Sequence, residues 1–386
     1  MKIFVFGSSI TSSYWNGAAT YYRGIYKYLQ RLGHQITFAE PDAYRRQQNR
    51  DPGNYDYVRS IVYSSPEDIP RLIREAADAD LVVKHSGVGV EDELLERAVL
   101  DCGSRRTQVA FWDVDAPATL LRVKNNPSDP FRPLIPEYDF IFTYGGGSAV
   151  ERHYRALGAR NCHSIYNALD PDTHFPVSAD PEVQCDLAFI GNRLPDRERR
   201  VEEFFLQAAE SAPDRSFLLG GEGWGNKKIP ANVRWIGHVG TEDHNRLNCS
   251  SRMVLNLNRE SMAIAGFSPP TRVFEAAGAG ACLITDAWAG IEAFFEPEEE
   301  ILVAQSASDI VHLLGTIDRS HAAHLGQAMR VRALADHTYA QRAQQVHHIL
   351  EITVSASRGE IEKDGRFAMQ FGESRPDLVA EVTRTP

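Results

Sequence analysis

The chain is poor in cysteine: five in 386 residues, and none of Cys102, Cys162, Cys185, Cys249 and Cys282 stands in CxxC spacing. An odd, scattered set speaks against a disulfide framework and favours a reducing compartment, so a cytoplasmic location is expected. Long apolar runs are missing as well. Nothing approaches the roughly 18 residues needed to span a bilayer. The opening MKIFVFGSS also enters a strand without the apolar core of a signal peptide. Positive charge is in deficit, with 41 Lys and Arg against 52 Asp and Glu and a net charge of −11. Such a chain has no global basic field, and a nucleic-acid partner is not expected, although a local basic pocket for one phosphate group is compatible. Finally, the sequence lacks both GxGxxG and a Walker A motif. The loops that follow its two leading strands read GSSITSSYWNGAA and GNRLPDR, which disfavours a dinucleotide dehydrogenase or a P-loop NTPase.

What is present is an ordinary globular composition, 43% hydrophobic and 24% charged, long enough for two cores. Residues 2–6 (KIFVF) form a buried-type strand. A helix is predicted over 18–32, where Tyr21, Ile25, Tyr28, Leu29 and Leu32 share a face, and Gly33 stops it before a strand at 35–39. Strand, helix and parallel strand make a right-handed βαβ unit. Further strands are predicted at 80–84, 107–112, 138–143 and 164–166, with helices at 66–78, 91–101 and 148–157 between them. The pattern restarts with strands at 186–190, 216–219, 233–236, 253–257 and 282–284, and a helix at 197–212. Pro171, Pro176 and Pro181 place a linker at 167–186. Two long helices follow, at 321–335 and 339–353. The expected fold class is therefore α/β: two Rossmann-like, doubly wound parallel-sheet domains facing across a cleft, with ligands at the carboxyl ends of the strands. The expected boundaries are 1–170, 171–338, a returning helix at 339–354 and a loosely ordered tail at 355–386.

One stretch stands out, FSPPTRVFEAAGAGACLITD at 267–286. Two prolines forbid a preceding helix, and Pro270 suits the entry to one. Val273, Phe274 and Ala277 share an apolar face, Arg272 and Glu275 lie off it, and Gly278 and Gly280 are expected to end the helix. A carboxylate on a helix whose N-terminus opens into a cleft suits a ligand with hydroxyls near Glu275 and phosphates near the amides. A buried helix–strand unit with a capped glutamate would read the same way.

Four segments in order carry a resemblance: the opening FGSSITSSYWNGAATYYRGIYKYLQRLGHQITFAE, then AFWDVDAPATL at 110–120, IYNALDPDTHFPV at 165–177 and NLNRESMAIAGFSPPTRVFEAAGAGACLITD at 256–286. Together they resemble retaining glycosyltransferases of the GT-B fold, and within them the CgeB-like (spore maturation protein) group. The resemblance implies a nucleoside-diphosphate sugar, a UDP-sugar foremost, held by the C-terminal domain, and an acceptor (small molecule, glycan or protein) entering from the N-terminal one. No cofactor and no metal are implied. Glu275 would bind the ribose diol, with Arg272 on the same helix, and amides around Gly266 and Ser268 would meet phosphates or sugar. Arg193 would take the phosphate-binding arginine's place, with Arg197 and Arg199 as alternatives, since a guanidinium stays charged and matches phosphate oxygens. Asn16 and Gly17 lie where the first loop approaches the donor phosphate, though a tight turn explains that glycine equally well. Asn258 and Arg259 follow a strand and are placed to line the cleft.

Three residues are candidates for catalysis. His85, at a strand's carboxyl end, could polarise the acceptor or serve structure alone. Asp113 and Asp115 are spaced like a metal-binding DxD but follow a strand directly. One is expected to face the cleft as an acceptor-side group or general base, and the other to cap the helix that follows. One departure concerns the second glutamate that many retaining members carry eight positions before the one matching Glu275. Phe267 occupies that position, with Glu260 and Ser268 nearby as possible substitutes. A nucleotide-sugar epimerase or hydrolase, or a non-catalytic binding protein on the same fold, are the competing readings.

Overall fold

The computed structural model describes residues 1–357. The expected tail falls outside the described residues from 358 onward. Seven parallel strands form the first sheet: β1 Lys2–Phe6, β2 Gln35–Pro41, β3 Arg59–Tyr63, β4 Leu81–His85, β5 Gln108–Asp113, β6 Phe140–Thr143 and β7 Cys162–Ser164, in the order β3-β2-β1-β4-β5-β6-β7. The order reverses at β1, so the loops after β1 and β4 diverge and leave a crevice above the strand ends. The second sheet repeats the plan with β8 Cys185–Ile190, β9 Phe217–Gly220, β10 Val233–Trp235, β11 Ser251–Asn256, β12 Leu283–Asp286 and β13 Leu302–Ala304, in the order β10-β9-β8-β11-β12-β13. Central strands such as Ile3–Phe6, Leu81–Val83 and Leu187–Ile190 are buried along their length, as parallel sheets covered on both faces require.

The first helix, Ala19–Arg31, buries Tyr21, Tyr22, Ile25, Tyr26 and Leu29 against the first sheet. Its Gly24 faces the ring of Tyr339, the first residue of the last helix, Tyr339–Ser357. A Cβ at Gly24 would stand 2.2 Å from that ring, so only glycine permits the two segments to close up. Between the sheets, Leu169 N donates to His337 O at 2.8 Å and Tyr339 N to Leu169 O at 2.9 Å. The outgoing and returning chain passages are thus bonded side by side.

Strands β3 and β13 were not expected from the sequence, and two further details depart from that reading. The helix predicted over 197–212 contains a π-turn at Glu202–Leu206 between the helical segments Pro195–Val201 and Gln207–Ser211. In the 267–286 stretch the helix is Thr271–Ala279 and runs through Gly278; only Gly280, at φ 71°, ends it. Gly278 is instead a contact point. A Cβ there would lie 2.4 Å from Leu169 and 2.7 Å from the His174 carbonyl, so the linker passes directly over it.

Candidate functional site

A cavity of about 470 Å³ opens where the carboxyl ends of the two sheets face each other. Its C-terminal wall is built by the helix Thr271–Ala279 and the loops after β8 and β11; its N-terminal wall by the loops after β1 and β5. Pro270, in extended conformation, sits at the N-cap position of Thr271–Ala279, and Pro270, Thr271 and Arg272 line the cavity, so the positive end of that helix lies at its wall.

Glu275 is the deepest acid. It is 4% exposed, and its Oε2 lies 3.1 Å from Arg272 Nη1 and 3.4 Å from His244 Nδ1, while Thr20 Oγ1 of the first helix is 3.5 Å from Oε1. Burial, the largest single effect, raises its pKa, but the Arg272 guanidinium together with His244, His174 and the Thr20 hydroxyl outweighs it and holds the carboxyl well below the ordinary range. His244 is pushed by burial down to about 3 and is neutral. His174, from the linker, is buried and shifted the same way. His174, His244 and Glu275 offer ligand atoms within 4.8 Å of one another. A cation among them would sit against Arg272, which already neutralises the carboxylate.

Three arginines shape the C-terminal wall, and they differ in what they already hold. Arg259 is clamped between the two domains: Nη1 donates to Asp115 Oδ2 at 2.6 Å and Nε to Asp196 Oδ2 at 2.5 Å. Burial works against its charge, and the two aspartates override it and raise its pKa. Arg272 is paired with Glu275. Arg197 is different. It bonds through Nη2 only to the Asn192 carbonyl, its Nε is buried without a partner, and it makes no ion pair among the described residues. Burial first, with Arg272 and Arg259 adding repulsion, brings its pKa down to about 10. At neutral pH it is a charged guanidinium, half-buried at the cavity wall and without a carboxylate partner among the described residues.

Of the residues singled out by the sequence, nine line the cavity: Asn16, Gly17, Asp115, Arg197, Asn258, Arg259, Ser268, Arg272 and Glu275. Four do not. His85 is fully buried behind the strand ends, its Nε2 2.5 Å from the Tyr26 hydroxyl and its ring between Tyr22 and Trp112. Asp113 is likewise buried, receiving Ser86 Oγ at 2.7 Å, Tyr154 OH at 2.5 Å and the Asp115 amide at 2.9 Å. It builds the turn that presents Asp115. The D-V-D pair therefore splits, one aspartate facing the cleft and the other holding the loop, and the two do not chelate together. Arg193 turns outward to Glu198 at 2.7 Å and Asn226 at 2.8 Å. Gly266 shapes the turn at φ 66°, its carbonyl taken by Ser268 Oγ.

Phe267 fills its position as a wedge. At φ 45° it accepts from the Gly146 amide across the cleft at 2.8 Å and gives its own amide to Ala289 O. Sequence reasoning missed Thr20, His174, His244, Trp15 and Arg46. Thr20 belongs to a helix read for its apolar face, and the others reach the site from loops or from distant helices without a motif.

Several solved structures share the whole architecture. A sucrose-phosphate synthase from Thermosynechococcus elongatus superposes with TM-score 0.65 at 14% identity, covering 92% of this chain and 100% of the other. The Anabaena protein Alr3699/HepE, solved with UDP and glucose, gives 0.67 at 12%, covering 91% and 100%. The fold is GT-B. A family model described as glycosyl transferase-like matches residues 197–348, a stretch that takes in Arg197, Arg259 and Glu275. No curated protein matches the chain. A third structure, an alpha-glucosyltransferase in complex with UDP-glucose and DNA, gives 0.66 at 12%, covering 91% and 99%. The fold alone thus does not exclude the nucleic-acid partner that the charge balance argues against. No helix among the described residues is long and apolar enough to cross a membrane.

Proposed function

We propose that this chain is a nucleotide-sugar-dependent glycosyltransferase of the CgeB-like group, retaining in stereochemistry and independent of metal, with a UDP-sugar as donor. The observation that carries the reading is the pairing, on one wall of one cleft, of an ionised buried Glu275 with the unspent guanidinium of Arg197. A nucleoside diphosphate presents the matching chemistry: a ribose diol for a carboxylate that can accept two hydrogen bonds, and a diphosphate for a cation. Glu275 Oε1 takes the diol. Arg197 and the first amides of Thr271–Ala279 take the phosphates, and their positive field grows more favourable as the leaving diphosphate gains charge. Arg259 braces Asp115 toward the transferred sugar, and the acceptor comes from the N-terminal wall. With Phe267 where a second glutamate would stand, no protein carboxylate is assigned as nucleophile; the departing phosphate itself accepts the acceptor's proton. UDP-sugar complexes of proteins with this fold support the choice of donor, and five free thiols suit a reducing compartment such as the cytoplasm.

The test is thermal and chemical unfolding with a panel of nucleoside diphosphates and their sugars. One nucleotide, UDP first, should stabilise the protein by about 2.7 kcal/mol at 100 times its dissociation constant. Glu275→Ala should abolish that gain. A folded sample indifferent to every nucleotide would end the donor reading, and donor cleavage at full rate without any acceptor would turn it into a hydrolase.

A further inference from the structure

The N-terminal wall carries a second arginine with nothing to neutralise it. Arg46, between β2 and β3, is 6% exposed and lines the cavity. Its Nη1 donates to the Ser8 and Val88 carbonyls at 3.3 and 3.4 Å and its Nη2 to the Trp15 carbonyl at 3.3 Å, while its buried Nε has no partner. Those three bonds are long against the usual 2.9–3.0 Å. Among the described residues Arg46 forms no ion pair. The acid closest to hand, Glu40, is already taken by the Ile10 amide at 2.7 Å, Thr11 Oγ1 at 2.6 Å and Gln47 Nε2 at 2.8 Å. If packing three loops together were the whole task, a neutral amide would serve without the desolvation of a charge. Beside it, Trp15 is held at φ 49°, an uncommon conformation for so bulky a residue, with its side chain 42% exposed at the cavity.

We propose that the acceptor is an anionic hydroxyl compound, its phosphate or carboxylate seated on Arg46 and its body against Trp15. This rests on the donor reading above and adds the substrate class on the opposite wall. In the transfer, the bond from the sugar's anomeric carbon to the donor diphosphate breaks and the acceptor oxygen bonds to that carbon. The hydroxyl proton passes to the departing diphosphate, and the anion on Arg46 stays unchanged, as a handle.

Calorimetric titration of the whole protein saturated with UDP tests it, using glucose, glucose 6-phosphate and glucuronate as probes. At least one charged probe should bind at least about tenfold more tightly than glucose, as a charge-assisted contact implies. Arg46→Gln should remove that margin and Arg46→Lys should keep part of it, with UDP affinity unchanged in both. Equal binding of neutral and charged probes to the wild type overturns the proposal even if Arg46→Gln fails to fold. Weakened UDP binding in either variant also overturns it, because the guanidinium would then belong to the donor. No UDP binding by the wild type defeats the donor reading, and this inference falls with it.

Discussion

Arg193 and Arg197 stand four residues apart in one arginine-rich segment, and the fold gives them opposite lives. Both are half-buried, but Arg193 is spent on Glu198 and Asn226, whereas Arg197 bonds only the Asn192 carbonyl and leaves its buried Nε unpartnered. Replacing Arg197 by Gln should weaken UDP binding by about 10- to 100-fold, the worth of one or two charge-assisted bonds. Stability should stay level or rise, because a partly desolvated charge without an ion-pair partner is removed. Arg193→Gln should leave UDP affinity within about twofold. Titration of both variants beside their urea midpoints checks this, and a larger loss from Arg193→Gln would reverse the assignment. The sequence offered both arginines but not the choice, since Arg193 lies in the loop before the helix Pro195–Val201 and Arg197 in its first turn, and the path of that loop decides which side chain meets the cleft. His85 and Asp113 show the same limit. Each sits at a strand's carboxyl end, where a functional residue is expected, yet each points into the layer of helices rather than out of the strand tip.

At the level of elements, legibility followed periodicity. Strands and helices with strong apolar spacing were readable to within a few residues, including 2–6, 185–190 and both long C-terminal helices. β3 and β13 were not. RSIVY leaves only its last residue buried, and LVA is three residues long, so neither gives a pattern to detect. The π-turn at Glu202–Leu206 was equally silent, for one extra residue per turn leaves composition untouched. Glycines carried more than they disclosed. Gly24 looks like a weak point in a helix, and Gly24→Ala would ordinarily gain about 1 kcal/mol. Here the new methyl would meet the Tyr339 ring at 2.2 Å. Overpacking of this kind costs about 1–3 kcal/mol, so the net change should be a loss, read as a lower urea midpoint with unchanged slope. A higher midpoint would show that the helix–ring seam yields freely.

For the molecule as a whole, neutral imidazoles are buried in a way that makes it acid-sensitive. His85, His174, His244 and His337 are all buried with depressed pKa values, His244 at about 3 and His337 at about 4. Burial is the first cause in each. The folded state therefore stays unprotonated where the unfolded chain takes up protons below about pH 6.5. Because the unfolded state binds more protons, stability falls as pH drops, by up to about 1.4 kcal/mol per unit for each such histidine. Between about pH 6.5 and 5.5 ordinary carboxylates add little, and Glu96, Asp115 and Asp286, raised by burial, work in the opposite direction, so a loss of stability between those two values in denaturant unfolding reports the histidines. Equal stability at both would mean that the imidazoles are hydrated.

The paired passages of chain at Leu169 and Thr338–Tyr339 have a practical outcome for anyone dissecting the molecule. The C-terminal half borrows its border from residues on both sides of it: Leu169 and His174 lie over Gly278, and the returning segment is held by Leu169. Cutting between the domains at the proline-rich linker would not release two finished parts. It would strip the donor wall of His174 and of the covering over its central helix, so expressed alone that half should be a poorer nucleotide binder than its own lining residues suggest. Co-expression as two pieces should restore it, the seam acting as a splice.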